Sequence, residues 1–522
     1  MLHRIGAAIG LLAAIGCGSA ARAAPAKGPV TDIPVAVSTL NGPKAAVETG
    51  VLGGSGVGSI EVFKGIPFAA PPIGPLRWKP PQPAANWTGV RPALDYGPAC
   101  PQVVDPGGKP NGGGYAGPTS EDCLNLNVFA PVHAHKAPVM VWIFGGGNTA
   151  GANSIAPNDG TAFARDGVIL VSVNYRLGAL GFFAHPALTK AAGPNEALGS
   201  YGTMDQIAAL KWVKRNIKAF GGDPDNVTIF GESAGGWDTL TLMTTPAARG
   251  LFSKATVQSG GGWSAPVTLS AAETEGVGIA KTLGLPESAS ADQLRALPVA
   301  ALVAAHGRFN PIVDDRLITE NATEAFARGH QAPVPLIIGS NSWEASLLPP
   351  PGYAAYLAAA SPETKAVYAA EAGGDDAKLA QAMFTDSAMG APARWIAGRQ
   401  SAKAPAWLYY FSYVRVVRRG KIPGANHTSE NPYVFDSQMG IPNYASEIVA
   451  DDRALAATMH SCWVAFAKTG KPVCSGAPAW PAYRPASDQL MEFGITTGVR
   501  EHFRNAQLDA QQHAAAKMIG GQ

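Results

Sequence analysis

The chain has 522 residues, 46% of them apolar and 15% charged, which is a globular composition and excludes general disorder. Its formal net charge is +2, and without residues 1–23, which carry Arg4 and Arg22, 38 basic residues face 38 acidic ones. That balance argues against nucleic acid as a partner, and no later stretch offers ~18 uninterrupted apolar residues for a membrane span.

The first element is an address. His3 and Arg4 precede a twelve-residue apolar run, Ile5 to Gly16, and small residues then lead to Ala21-Arg22-Ala23. A basic start, a short hydrophobic stretch and an A-x-A site form the secretory pattern, so residues 1–23 are expected to be a signal peptide and the protein periplasmic or secreted. A minor alternative anchors the chain by lipid on Cys17, although Ala14 rather than Leu stands three residues before it. Export leaves Cys100, Cys123, Cys462 and Cys474, an even number in an oxidising compartment. Three pairings are open to four cysteines; the near pairs would close short loops, the first worth ~3 kcal/mol of loop-closure entropy. Neither near pair has zinc spacing, and no metal or cofactor is expected.

From about Val35 to Val128, short apolar runs broken by Gly and Pro read as strands and loops, a small N-terminal β region. From Ala137 the rhythm becomes strand, loop, helix. Strands are expected at 139–144, 168–174, 227–230, 335–338 and 407–416, and a helix with apolar period at 204–220; helix-rich text fills 270–305 and 353–400. Continuous apolar strands alternating with amphipathic helices indicate an α/β fold, a mostly parallel central sheet with helices on both faces. No repeat or linker interrupts it. A prior of ~150 residues per domain would give three domains, but a single large one over 24–522 fits better.

Gly231-Glu232-Ser233-Ala234-Gly235 fits G-x-S-x-G. The pentapeptide alone is weak, with ~0.4 matches expected by chance in a chain like this. Its setting is specific: an apolar β-branched run leads into it, and Trp237, Leu240 and Met243 follow at helical spacing, so Ser233 sits on a strand-to-helix elbow. A serine nucleophile needs a base and a place for negative charge. Gly145-Gly146-Gly147 ends an earlier apolar strand, where backbone N–H groups can converge on an oxyanion with that of Ala234.

Longer stretches resemble the type-B carboxylesterases, the esterase/lipase branch that includes the cholinesterases. Phe63–Arg77 is similar to that family's N-terminal signature, Glu121–Val128 to its cysteine signature, and Asn174–Phe182 and Phe220–Gly236 to its core and elbow. The resemblance implies an α/β-hydrolase fold and a Ser-Glu-His triad in that order, with a small-molecule ester as partner. Ser233 falls on the nucleophile. Gly339–Ala345 resembles the segment of the acid, which places that role on Glu344. Gly424–Phe435 resembles the histidine segment, which places the base on His427. Gly146, Gly147 and Ala234 take the oxyanion role, and Cys100 and Cys123 correspond to the family's N-terminal disulfide. The pair Cys462–Cys474 is inferred from export and proximity.

The residues themselves are compatible with these roles. Glu344 follows the apolar run 335–338, where strand carboxyl ends gather site residues; Asp314 and Asp315 are rival acids that no comparable strand delivers. His427 follows the run 407–416 by a long polar loop. Glu232 is expected to tune the histidine. The chain departs from the family at Asn148, where an aromatic usually follows the glycines, and at Trp237-Asp238, which replaces a small pair. No tryptophan lies between Cys100 and Cys123, so the cation–π platform of cholinesterases is missing and choline esters are disfavoured. The expected activity is hydrolysis of neutral carboxylic esters, with lactone, thioester or amide hydrolysis on the same triad, or a non-catalytic binding relative, as alternatives.

Overall fold

A computed structural model describes residues 42–441 and 444–520. The expected signal peptide and Cys17 lie outside those residues.

The described residues build eleven strands into one sheet: β1 (Ser55–Val57), β2 (Ile60–Pro67), β3 (Asn125–Pro131), β4 (Ala137–Ile143), β5 (Ile169–Val173), β6 (Gly222–Glu232), β7 (Lys254–Gln258), β8 (Leu336–Asn341), β9 (Ala406–Phe411), β10 (Gln489–Phe493) and β11 (Gly498–Glu501). Their order across the sheet is β1-β2-β3-β5-β4-β6-β7-β8-β9-β10-β11. Every pair from β5 through β10 is parallel, and the pairs at the two margins are antiparallel. A second sheet of three short strands, Lys44–Val47, Gly50–Gly53 and Val90–Pro92, forms the small N-terminal β region.

The central strands are buried end to end, as the continuous apolar runs require: all five residues of β5, all five of β7 and all six of β8 are buried. Helix α1 (Tyr201–Asn216) covers the run expected at 204–220, closing with a 3₁₀ turn over 217–220 and a left-handed Gly221. Strand β6 begins five residues before the expected Val227. Pro224 is accommodated because the pairing with β4 shifts register there, Ala137 opposing Gly222 and Val139 opposing Val227. Strand β9 stops at Phe411 rather than reaching residue 416. Its neighbour β10 ends at Phe493, and the N–H groups of Ser412 and Tyr413 both turn onto the carbonyl of Phe493. The long helix Ala450–Thr469 was not foreseen; Leu455, Met459, Cys462, Trp463 and Phe466 line its buried face at three- and four-residue spacing.

Two disulfides close, Cys100–Cys123 and Cys462–Cys474. None of the helices in the described residues is long and apolar enough to cross a membrane.

Candidate active site

Strands β4, β6, β7 and β8 run parallel, so their carboxyl ends meet on one edge, and each delivers part of one constellation. At the end of β6 the chain turns through Ser233, held at φ 56°, ψ −126°, into helix α2 (Ala234–Thr244). Non-glycine residues rarely occupy that region, and an outlier here marks a built elbow. The turn is tight enough to demand glycine on its inner side: a Cβ on Gly235 would lie 2.0 Å from the Ile143 carbonyl oxygen. The Ser233 N–H donates to the Gln258 carbonyl at the end of β7, which locks the elbow to the sheet. Ser233 itself is half-buried and reachable.

The triple glycine follows β4. Gly146 and Gly147 have φ of 109° and 64°, and the N–H groups of Thr149 and Ala150 both donate to the Gly146 carbonyl. That turn leaves the N–H groups of Gly146 and Gly147, and of Ala234 at the first position of α2, without a protein acceptor among the described residues. A helix N-terminus beside free loop amides suits a developing negative charge.

Glu344 stands three residues beyond β8, wholly buried. Its Oε1 accepts from the Asn341 N–H at 2.7 Å and from the Ser259 hydroxyl at 2.6 Å, and its Oε2 lies 2.6 Å from His427 Nδ1. The carboxylate is thereby fixed in two directions, with the imidazole presented along the third. His427 comes from the loop after β9, and that loop is tied to the acid segment. The Trp343 N–H donates to the Ala425 carbonyl, the Ala425 N–H to the Ser342 hydroxyl, and the His427 N–H to the Ser346 hydroxyl. Asn341 adds bonds to the Asn426 carbonyl and to Glu430. Downstream, Phe435 packs against Trp142 and Phe163, seating the histidine segment on the sheet.

The outer nitrogen of His427, Nε2, lies 3.1 Å from Glu232 Oε1, but neither atom is aligned for a hydrogen bond. The structure joins His427 to Glu344 and sets it against Glu232; it does not join Nε2 to the Ser233 hydroxyl. Such bonds often form only once substrate is bound. Burial disfavours the imidazolium, but the charges of Glu232 and Glu344 outweigh it and raise the His427 pKa. Burial, reinforced by the neighbouring carboxylates, raises Glu232, and burial likewise raises Glu430. The rival acids lie elsewhere. Asp314 accepts backbone N–H groups of Leu198, Leu317 and Ile318, and Asp315 is exposed.

Ser259, Asn341, Ser342, Ser346, Glu430 and Asn431 were invisible to sequence reasoning. Ser259 follows β7, Asn341 ends β8 with Ser342 and Ser346 just beyond it, and Glu430 and Asn431 follow His427 in the chain; only the convergence of strand ends brings them around Glu344, His427 and Glu232. Asn148 and Asp238 are fully buried. Tyr115, the one aromatic between Cys100 and Cys123, is buried with its hydroxyl on the Pro118 carbonyl. No group of metal-ligating side chains occurs among the described residues.

Residues 41–365 and 352–511 match the model of the carboxylesterase family. The chain is 35% identical over 503 residues to a fumonisin B1 esterase of Sphingopyxis macrogoltabida, covering 90% of each protein. It is 37% identical over 478 residues to a para-nitrobenzyl esterase of Bacillus subtilis, covering 85% of this chain and 93% of that one. Among solved structures, a carboxylesterase of Geobacillus stearothermophilus superposes with a TM-score of 0.78 at 32% identity, over 90% of this chain and all of the other.

Proposed function

Since the chain belongs to the carboxylesterase family and is a carboxylic ester hydrolase of α/β-hydrolase fold, we propose that it works through Ser233, His427 and Glu344 as a triad and passes through an acyl-enzyme. The observation that carries this reading is the 2.6 Å contact of His427 Nδ1 with a wholly buried Glu344, at the strand edge where the strained Ser233 elbow also stands. His427 Nε2 takes the proton of Ser233 as the hydroxyl attacks the ester carbonyl. Glu344 holds the tautomer and stabilises the imidazolium. The N–H groups of Gly146, Gly147 and Ala234 receive the oxyanion, each such donor being worth ~3–4 kcal/mol. His427 then returns the proton to the departing alcohol, and water releases the acid by the same route. Glu232, against Nε2, tunes the base.

Among the described residues the charged groups acting on His427 are the carboxyls of Glu232, Glu344 and Glu430, with no cation, which favours neutral esters over anionic ones. The basic, apolar and A-x-A pattern of residues 1–23 and the two disulfides support an exported chain beginning at Ala24. One sheet reaching from residue 55 to 501 supports a single domain over 24–522.

An organophosphonate separates an enzyme from a binding relative. Stoichiometric labelling at Ser233, with kcat lowered ~10⁴-fold or more in Ser233→Ala and in His427→Ala, is the expected result. A folded Ser233→Ala protein that keeps substantial esterase activity overturns the assignment. Mass spectrometry of the exported protein checks for Ala24 at the N-terminus; a lipid on Cys17 refutes it.

A further inference from the structure

An oxyanion site built from a loop and a helix works only if the two keep their spacing. Gly146 and Gly147 belong to the loop after β4, whereas Ala234 opens α2. Asn148, the next residue of the loop, has a left-handed φ of 57°, and its side chain is fully buried. Its carboxamide Nδ2 lies 3.4 Å from Oδ1 of Asp238, one turn into α2. The other carboxyl oxygen of Asp238 accepts from Gln206 Nε2 of α1 at 2.6 Å. On the far side, the Tyr175 hydroxyl donates to the carbonyl of Phe144, just before the glycines, at 2.7 Å and stands 3.3 Å from Asn148 Oδ1. The Gly178 N–H donates to the Asn148 carbonyl.

All four polar side chains are buried, and no cation among the described residues joins them. A buried carboxyl without a cation is costly, and Asp238 is met only by amide donors. Burial raises its pKa to about 7.

We propose that Asn148 and Asp238 are a matched positioning pair for the oxyanion site: Asp238, oriented by Gln206, ties the residue after Gly147 to the helix that carries Ala234, and so sets the distance between the two sets of N–H donors. The proposal rests on the reading of Gly146, Gly147 and Ala234 as those donors. Neither residue touches substrate; both act through the backbone they hold. Asn is suited to the loop position because it tolerates the left-handed region and supplies a donor and an acceptor to two partners at once.

Two variants and a rescue test this. Asn148→Asp sets two carboxyls against each other; kcat for a neutral nitrophenyl ester should fall at least thirtyfold with KM within about threefold. Adding Asp238→Asn rebuilds the pair in reverse, since the new amide donates to Asp at 148 while its oxygen still accepts from Gln206; kcat should recover at least tenfold. Asn148→Gly, which keeps the left-handed backbone without strain, should lose about tenfold in kcat even if the first variant fails to fold. The rate of inactivation by a neutral phosphonate should fall in parallel with kcat, because its tetrahedral centre uses the same donors, a readout that a role in folding alone does not move. Wild-type kcat in folded Asn148→Gly, a loss carried in KM, or the absence of rescue by the reversed pair overturns the proposal. Ser233→Ala, assayed alongside, separates the two readings: if it is inactive while Asn148→Gly is wild-type, only the positioning pair is refuted.

Discussion

Gly146→Ala tests the proposed oxyanion role of the glycine loop most directly. At φ 109° a side chain is strained by ~1–3 kcal/mol, and the added Cβ would lie 2.2 Å from the Ala150 carbonyl oxygen. Contacts of that kind do not form below 3.0 Å, so the loop must open by roughly 0.8 Å. The turn in which Thr149 and Ala150 donate to the Gly146 carbonyl cannot absorb this without rotating the adjacent N–H groups. A misplacement near 1 Å, or the loss of one oxyanion donor, costs ~10²-fold or more in rate. We therefore expect kcat on a neutral nitrophenyl ester to fall ~10²-fold, with circular dichroism unchanged and a Tm lower by a few degrees. Gly147→Ala is the matched control. Its φ of 64° is also left-handed, but the nearest atom to an added Cβ is Thr149 Oγ1 at 3.8 Å, so it should lose less than tenfold. A folded Gly146→Ala enzyme within threefold of wild-type kcat, or a larger loss in Gly147→Ala, refutes the reasoning.

Glu344→Gln should lower kcat ~10²- to 10⁴-fold with little change in KM, while Asp314→Asn should lower Tm and spare kcat, because Asp314 serves backbone N–H groups of a turn; steady-state kinetics and melting curves on both variants check this. A base acts only when neutral, and the His427 pKa is raised, so kcat/KM should fall as pH drops through a midpoint above the ordinary imidazole value of ~6.5. A pH profile with its acid limb below 6 contradicts that. Between a neutral ester and its carboxylate- and choline-bearing analogues, kcat/KM should be highest for the neutral one at moderate salt; higher efficiency on either charged analogue refutes the substrate reading.

The sequence by itself determined the kind of sheet and pointed to the candidate residues of the site. Runs such as 139–144 and 168–171 are apolar without alternation, as strands buried on both faces require, and the elbow is legible because a sharp turn admits little but glycine around Ser233. Those signals are local, carried by neighbours along the chain. What the sequence could not specify lies between segments far apart in it. Pairing of β4 with β6 across a register shift moved the start of β6, and the end of β10 cut β9 short at Phe411. Likewise, resemblance and its place after the run 335–338 favoured Glu344 over Asp314, but only the carboxyl ends of β7 and β8 bring Ser259 and Asn341 onto its carboxylate and leave the other oxygen to His427. Asn148 and Asp238 are ninety residues apart and stand out singly only as departures; that they answer each other is decided by the packing of the glycine loop on α2, because a hydrogen bond between side chains is a property of positions in space and not of spacing along the chain.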